Sequence, residues 1–282
     1  MKQRYEIIEK IGEGKFGNVY RGTYIKTFNG KKLREPVAIK VGETLNQLKI
    51  LKNETTVLHY LHSNGCRQIP HIIWYGRLDP IGSMGFIMPL YECSLYEYSK
   101  KKEFTTAIVQ SIMIQAISIL ESIHKHFVIH RDIKPQNFMI KDGELYLIDF
   151  GFATFYVNAD KEHISIDRTL ESILGTPKYI SIYNHMGISN SRRDDMISLG
   201  YIMFYLLYPR EPDEKMLENP DGYERSHILH PMNEILKKEK EIGVIENLCK
   251  DKHPEIYYYL KTCYEIEYHE APDYSFVKDL FS

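Results

Sequence analysis

Residues 128–151, VIHRDIKPQNFMIKDGELYLIDFG, hold three oxygen-bearing side chains, Asp132, Asn137 and Asp149, and a lysine, Lys134. Asp142-Gly143 is the kind of pair that closes a two-residue hairpin of the primed type. Apolar runs flank it, Phe138-Met139-Ile140 on one side and Leu145-Tyr146-Leu147-Ile148 on the other. In that register Ile140 faces Leu145, Phe138 faces Leu147 and Asn137 faces Ile148. Asn137 and Asp149 are then expected to emerge together at the end away from the turn. Two oxygen donors at one strand end suit a hard cation such as Mg²⁺, which keeps waters and phosphate oxygens as its other ligands. Asp132, on the loop entering the hairpin, is available to accept a proton from an incoming hydroxyl. Lys134 can balance charge on a moving phosphoryl group, and Pro135 stiffens the loop between them. For Asp132 and Asp149 to be mere turn residues, several coincidences would be needed at once.

Two further groups belong to the same chemistry. Gly12, Gly14 and Gly17 stand in G-x-G-x-x-G spacing within IGEGKFGNVY. A dinucleotide-binding fingerprint opens into a helix, but here NVYRGTYI follows, which reads as a strand; there is also no G-x-x-x-x-G-K-[ST]. A strand–turn–strand flap remains, whose bare backbone N–H groups can approach phosphate oxygens. An ordinary hairpin is the plainer alternative. Lys40 ends the short strand PVAIK. In the helix that follows, Leu51, Leu58 and Leu61 mark an apolar stripe, and Glu54 projects from it. A carboxylate on a buried face is costly unless a cation meets it, and Lys40 can be that cation, unless Glu54 is only a rim residue.

The elements that must position these groups divide by style. Residues 4–40 and 69–89 read as strands, with one helical stretch near 43–62. From about residue 94 helical patterns dominate, apart from the hairpin at 138–149. Strands first and helices after predict an α+β layout in two lobes, joined through MPLYECS, residues 88–94. The chain has 282 residues, 43% hydrophobic and 26% charged, with a formal net charge of -2. That supports a sizeable core and argues against a nucleic-acid partner, which wants a basic footprint. Four scattered cysteines argue against a disulfide framework or a zinc site. The N-terminus lacks a signal core. The apolar segment 106–123 is interrupted by Gln110, Gln115 and Glu121 and is short for a membrane span, so it reads as a buried helix. The histidine pairs His124/His126 and His59/His62 are not expected to bind metal. Arg192-Arg193 beside Asp194-Asp195 is expected to be a structural salt-bridge cluster.

HRDIKPQN with DFG, VAIK and the glycine flap, in that set and across the whole chain, resembles the eukaryotic protein kinase signature. GTPKYISI followed by NHMGISNSRRDDMISLGYIMFYLL, where most kinases carry A-P-E, resembles the casein kinase 1 family, as does the ending APDYSFVKDLF. The resemblance implies a two-lobed protein kinase fold, with an antiparallel sheet lobe over residues 1–88, a hinge at 89–95 and a mainly helical lobe over 96–282. It implies serine/threonine kinase activity with ATP and Mg²⁺ as cofactors and protein substrates as partners. By the same resemblance Gly12, Gly14 and Gly17 cover the phosphates, and Lys40 holds the α- and β-phosphates and pairs with Glu54. Asp132 is the catalytic base and Lys134 the γ-phosphate contact; Asn137 and Asp149 are the metal ligands. Ile11, Val19 and Ala38 line the adenine, Met88 is the gatekeeper, and Pro89, Leu90 and Tyr91 form the hinge. Thr176 is expected to hydrogen-bond near Asp132, and Asp195 to brace the catalytic loop.

The chain also departs from that family. Its pocket for an already phosphorylated substrate uses several basic side chains. Here Lys178 keeps one, Glu171 stands where a lysine is wanted, and no clear replacement appears near Gly222. Residues 152–185 carry Lys161, Arg168 and Lys178 against Asp160, Glu162, Asp167 and Glu171, so a weakened preference for primed substrates is expected. Tyr183 stands where family members often carry asparagine. Thr154, Thr169 and Thr176 are available hydroxyls, though activity is expected without their phosphorylation. The alternative within the same fold is a pseudokinase scaffold; a NAD-dependent oxidoreductase rests on glycine spacing alone. A monomer in the cytoplasm or nucleus, with no nucleic acid or membrane partner, completes the expectation.

Overall fold

The computed structural model describes residues 5–14, 16–28, 31–79, 81–101, 104–207, 228, 236–249 and 251–282. The chain divides into two compact units, Met1–Ser94 with Met139–Ala153, and Leu95–Phe138 with Thr154–Ser282.

The first unit is built on a five-stranded antiparallel sheet: β1 (Tyr5–Gly14), β2 (Gly17–Phe28), β3 (Lys31–Gly42), β4 (Trp74–Leu78) and β5 (Ser83–Pro89), in the order β1-β2-β3-β5-β4. Strand β3 changes character midway. Its first half is charged and pairs only with β2, whereas Val37–Gly42 is buried and pairs with β5 as well. Pro36, which has no N–H to donate, marks the change. Side chains alternate across the sheet. Val37, Ile39 and Val41 pack with Tyr5, Tyr24, Leu78 and Ile87 on one face. Ala38 packs with Leu51, Phe86 and Met88 on the other. Lys40 shares the Ala38 parity.

Helix α1 (Leu45–Ser63) starts where its capping box dictates: Thr44 Oγ1 accepts from Gln47 N (3.2 Å), and Gln47 Oε1 accepts from Thr44 N (3.2 Å). Its buried stripe is Leu51, Glu54, Thr55, Val57, Leu58 and Leu61. Each buried leucine contributes about 1.5–3 kcal/mol, which holds the helix against the sheet. The strand expected from residue 69 begins only at Trp74; residues 69–73 run without regular structure. Pro70 removes a ladder donor there, an effect that the apolar run Ile69 to Ile73 conceals.

The hairpin falls at the expected turn. Strands β8 (Phe138–Lys141) and β9 (Glu144–Leu147) flank Asp142 and Gly143, both left-handed, with φ of 52° and 78°. Strand β6 (Cys93–Ser94) adds to it through Ile140 and Met139. Leu147 N also donates to Gln68 O at 3.0 Å, so the hairpin is tied to the first unit by backbone bonds.

The second unit is mainly helical: α2 (Leu95–Lys101), α3 (Thr106–Lys125), α4 (Ile182–His185), α5 (Arg192–Leu207), α6 (Ile242–Cys249), α7 (Pro254–Glu265) and α8 (Tyr274–Asp279), with β7 (Val128–Ile129) paired to β10 (Thr154–Phe155). By length and composition α3 could cross a membrane. Its stripe Val109, Met113, Ala116, Ile117, Leu120 and Ile123 is buried, and it contacts α5 and α8. Residues 193–204 of α5 are all buried, the mark of a central helix.

Candidate active site

In the first unit three charges meet. Lys40 Nζ lies 2.6 Å from Glu54 Oε2 and 2.7 Å from Asp149 Oδ1. Strand alternation turns Lys40 toward α1, and helical spacing turns Glu54 toward Lys40, so the expected pair forms and Glu54 is no rim residue, being 1% exposed. Burial opposes the Lys40 charge, but Asp149 and Glu54 override it and hold the ammonium above its usual value. Burial pushes the Glu54 carboxyl up to about 7; Lys40 pulls against that shift. Asp149 is left-handed (φ 65°), a conformation that costs an L-residue free energy and collects at functional sites. The turn after it, Phe150–Phe152, is tethered by Asn53 Nδ2, which donates to Gly151 O (3.1 Å) and Ala153 O (2.9 Å). Asn53 was not singled out in the sequence; its neighbour Glu54 was the only cue.

The glycine flap is the β1–β2 turn. Gly12 pairs with Val19 and Gly14 with Gly17. Gly17 must be glycine, since φ is +125° and a Cβ would lie 2.2 Å from Val41 O. At Gly14 a Cβ would meet nothing within 4 Å, so that side of the turn is open. Phe16 at the tip stands edge-on to Phe152, ring centroids 4.6 Å apart, which places the flap over the Asp149 turn. Of the residues assigned to the adenine, Ala38 and Met88 are buried in one cluster, with Val19 and Leu90 packed against it. Ile11 is 48% exposed. Pro89 pairs with Val37, and Tyr91 packs on Tyr146 with centroids 5.1 Å apart.

In the second unit the loop 130–137 is knotted by its own side chains. Asp132 Oδ2 accepts from Lys134 Nζ at 2.6 Å. Asn137 Nδ2 donates to Asp132 O (2.8 Å) and Oδ2 (3.3 Å). Thr176 Oγ1 donates to Asp132 Oδ1 at 2.9 Å. Asp195, from the first turn of α5, accepts the amides of His130 (2.7 Å) and Arg131 (2.9 Å). Thus Thr176 and Asp195 stand where they were expected. His124 completes the brace, with Nε2 3.1 Å from Asp195 and Nδ1 2.7 Å from Tyr274 Oη. Burial holds His124 below its usual value. Asp195 lies below its own, because His124 and the His130 amide outweigh burial. A neutral imidazole donating from Nε2 and accepting from Tyr274 satisfies both.

The expected arginine–aspartate ion pair forms between Arg193 and Asp194, and both arginines have further partners. Arg193 is 4.0 Å from Asp194 but stacks over Tyr183 at 3.6 Å and donates to Ile266 O at 3.0 Å. Arg192 lies over Tyr156 and donates to His269 O at 2.6 Å. Asp194 also serves Ser181 and Ser191. A planar guanidinium prefers aromatic faces and carbonyls where carboxylates are already occupied. This accounts for Tyr183: it supplies the ring beneath Arg193 and donates to Tyr264 O at 2.9 Å. Of the three hydroxyls noted for modification, Thr176 bonds to Asp132 and Thr169 to Asp167; Thr154 begins β10. Lys178 lies 6.0 Å above the Tyr179 ring. Gly222 lies outside the described residues.

The Asp149 carboxylate and Asn137 Oδ1 are hard oxygen donors of the kind Mg²⁺ accepts. The family model described as "Protein kinase domain" matches residues 5–270. The chain, with its five-stranded sheet unit and helical unit, therefore belongs to the protein kinase domain family.

Proposed function

We propose that this protein kinase domain is catalytically competent and transfers the γ-phosphoryl group of ATP to serine or threonine hydroxyls of protein substrates, with a casein kinase 1-like character. Lys40 would hold the α- and β-phosphates, with Glu54 fixing its position. The flap Gly12, Gly14 and Gly17 would cover the phosphates, while Ile11, Val19, Ala38, Met88, Pro89, Leu90 and Tyr91 would line and edge the adenine. Mg²⁺, held by Asn137 and Asp149, would supply positive charge to the phosphate oxygens. Asp132 would orient the acceptor hydroxyl and take its proton as the O–P bond forms and the bond to the ADP oxygen breaks. Lys134 would balance the charge on the transferred group.

The observation that carries this reading is the Asp132 carboxylate, 4% exposed, held by Lys134, Asn137 and Thr176 together. Three partners fix its direction before substrate arrives, as positioning catalysis requires. The serine/threonine and casein kinase 1-like parts rest on GTPKYISI and the SRRDD helix start. Glu171 and the sparse positive charge of residues 152–185 support a weak preference for primed substrates. Incubation with labelled ATP, Mg²⁺ and casein should yield labelled phosphoserine or phosphothreonine. Nucleotide binding without transfer would favour a pseudokinase scaffold, and label confined to tyrosine would overturn the residue class. Peptides matched with and without an upstream phosphoserine should differ little in kcat/KM; a large gain from the phosphate would refute weak priming.

A further inference from the structure

Lys240 lies in the charged run KKEKE, where a solvated side chain is the ordinary expectation, yet it is 1% exposed. Its Nζ lies 2.7 Å from Pro177 O, 2.7 Å from Ile180 O and 2.9 Å from His185 Nε2. The sequence separations are 63, 60 and 55 residues, so this is a tertiary contact and no local cap. Its anchorage is firm. Tyr201 of α5 donates to Lys240 O at 3.3 Å and shares a 2.6 Å bond with Tyr264 of α7. The Tyr201 ring lies 4.9 Å from Nζ.

The turn Lys240 grips is the one that meets the catalytic loop on its other side. Thr176 donates to Asp132. Gly175 has φ +99°, and a Cβ on it would lie 2.7 Å from Arg131 O, so its backbone is pressed against the loop. A closed circuit results: α5 holds the loop through Asp195, the loop holds the turn through Asp132 and Thr176, the turn is held by Lys240, and Lys240 returns to α5 through Tyr201. We propose that Lys240 is a positioning residue for phosphoryl transfer, which fixes the 176–180 turn by its two carbonyls and thereby fixes the Thr176–Asp132 bond and the acceptor's seat.

Burial pushes the Lys240 amine well below its usual value. The clamp tolerates that. An ammonium donates to both carbonyls and to His185; a neutral amine still donates to both carbonyls and accepts from a His185 Nε2–H. Among the described residues, the groups facing it are His185 from α4, Tyr201 from α5, the two carbonyls of the turn, and Glu239 beside it in the chain. None requires the charge.

This inference rests on the reading of Asp132 as catalytic base, and the test separates the two. Lys240→Met keeps length and apolar stem while removing every side-chain N–H. Expected are a fall in kcat for peptide phosphorylation of roughly 10- to 100-fold, the scale of a misplaced reacting group, an unchanged KM for ATP, and faster amide exchange confined to 176–181. In a Thr176→Ala background the same change should cost little more, because the circuit is already open. Should Lys240→Met not fold, His185→Leu removes one of the three partners and His185→Gln restores an acceptor; activity should fall in the first and return in the second. A kcat within twofold of wild type, or a loss matched by the unfolded fraction, or equal losses in both backgrounds, would overturn the role of Lys240. If wild type transfers no phosphate, the proposed function fails, while the exchange pattern at 176–181 still decides whether the clamp exists.

Discussion

Removing Lys40 should destabilise the first unit more than any surface change, and the cost can be worked from its contacts. Its ammonium stands 2.6 Å from Glu54 and 2.7 Å from Asp149. At an effective dielectric constant near 20 each attraction is roughly 6 kcal/mol before desolvation is counted. Much of that offsets the cost of burying the charges, but a truncated partner leaves the other charge uncompensated. Lys40→Met should therefore cost about 3–5 kcal/mol in unfolding free energy at pH 8. Glu54 sets the sign of the pH dependence. Its folded carboxyl is raised, to about 7 in the intact site, and loss of Lys40 raises it further. The folded state then binds more protons than the unfolded state from about pH 4.5 upward, so stability falls as pH rises. The Lys40→Met deficit should be smaller at pH 6 than at pH 8, by about 1 kcal/mol. Urea titration followed by Trp74, the chain's one tryptophan, in the sheet of this unit, reports the transition. Glu54→Gln added to Lys40→Met should recover more than half the loss. A Lys40→Met cost below about 1 kcal/mol, the value of an exposed pair, or no recovery in the double variant, would refute the buried triad.

Other outcomes follow from the second unit. Asp132→Asn should lower kcat on the order of 10²–10⁴-fold with nucleotide affinity kept, the range for a general base; transfer assays beside nucleotide titration check it. Gly175→Ala should cost about 1–3 kcal/mol of strain and lower kcat with it, read by thermal unfolding and turnover. Tyr183→Phe should cost about 1 kcal/mol for the lost bond to Tyr264 O, and Tyr183→Leu a further 0.5–2 kcal/mol or so for the ring under Arg193; denaturant curves separate them. Asp195 is held below its usual value, so its contribution to stability is complete above the unfolded pKa of about 4 and is lost as pH falls through the folded value. Asp195→Asn should flatten the acid limb of the stability profile in that window.

The residues legible in the sequence are those whose local pattern sets their direction. Glu54 follows from the Leu51–Leu58–Leu61 stripe, and the Asp142-Gly143 turn from two residues that tolerate positive φ. Thr176 and Asp195 were placed by resemblance, and each makes the contact expected of it: Thr176 donates to Asp132, and Asp195 accepts the amides of His130 and Arg131. The illegible part is tertiary. Nothing local distinguishes Lys240 from Lys237 or Lys238, and its burial depends on carbonyls some 60 residues away. Arg193 reads as a carboxylate partner, which it is at 4.0 Å, but its nearer partners, the Tyr183 ring and Ile266 O, are tertiary and leave no local signal. The late start of β4 escaped because an apolar run hides the missing donor at Pro70.

The most direct test is a crystal structure with Mg²⁺ and a non-hydrolysable ATP analogue. The expected result has the metal bound by Asn137 Oδ1 and the Asp149 carboxylate, Lys40 on the α- and β-phosphates, and the Asp132 carboxylate facing the γ-phosphate. Nucleotide seated away from Lys40, or a metal ligated by neither Asn137 nor Asp149, would contradict it.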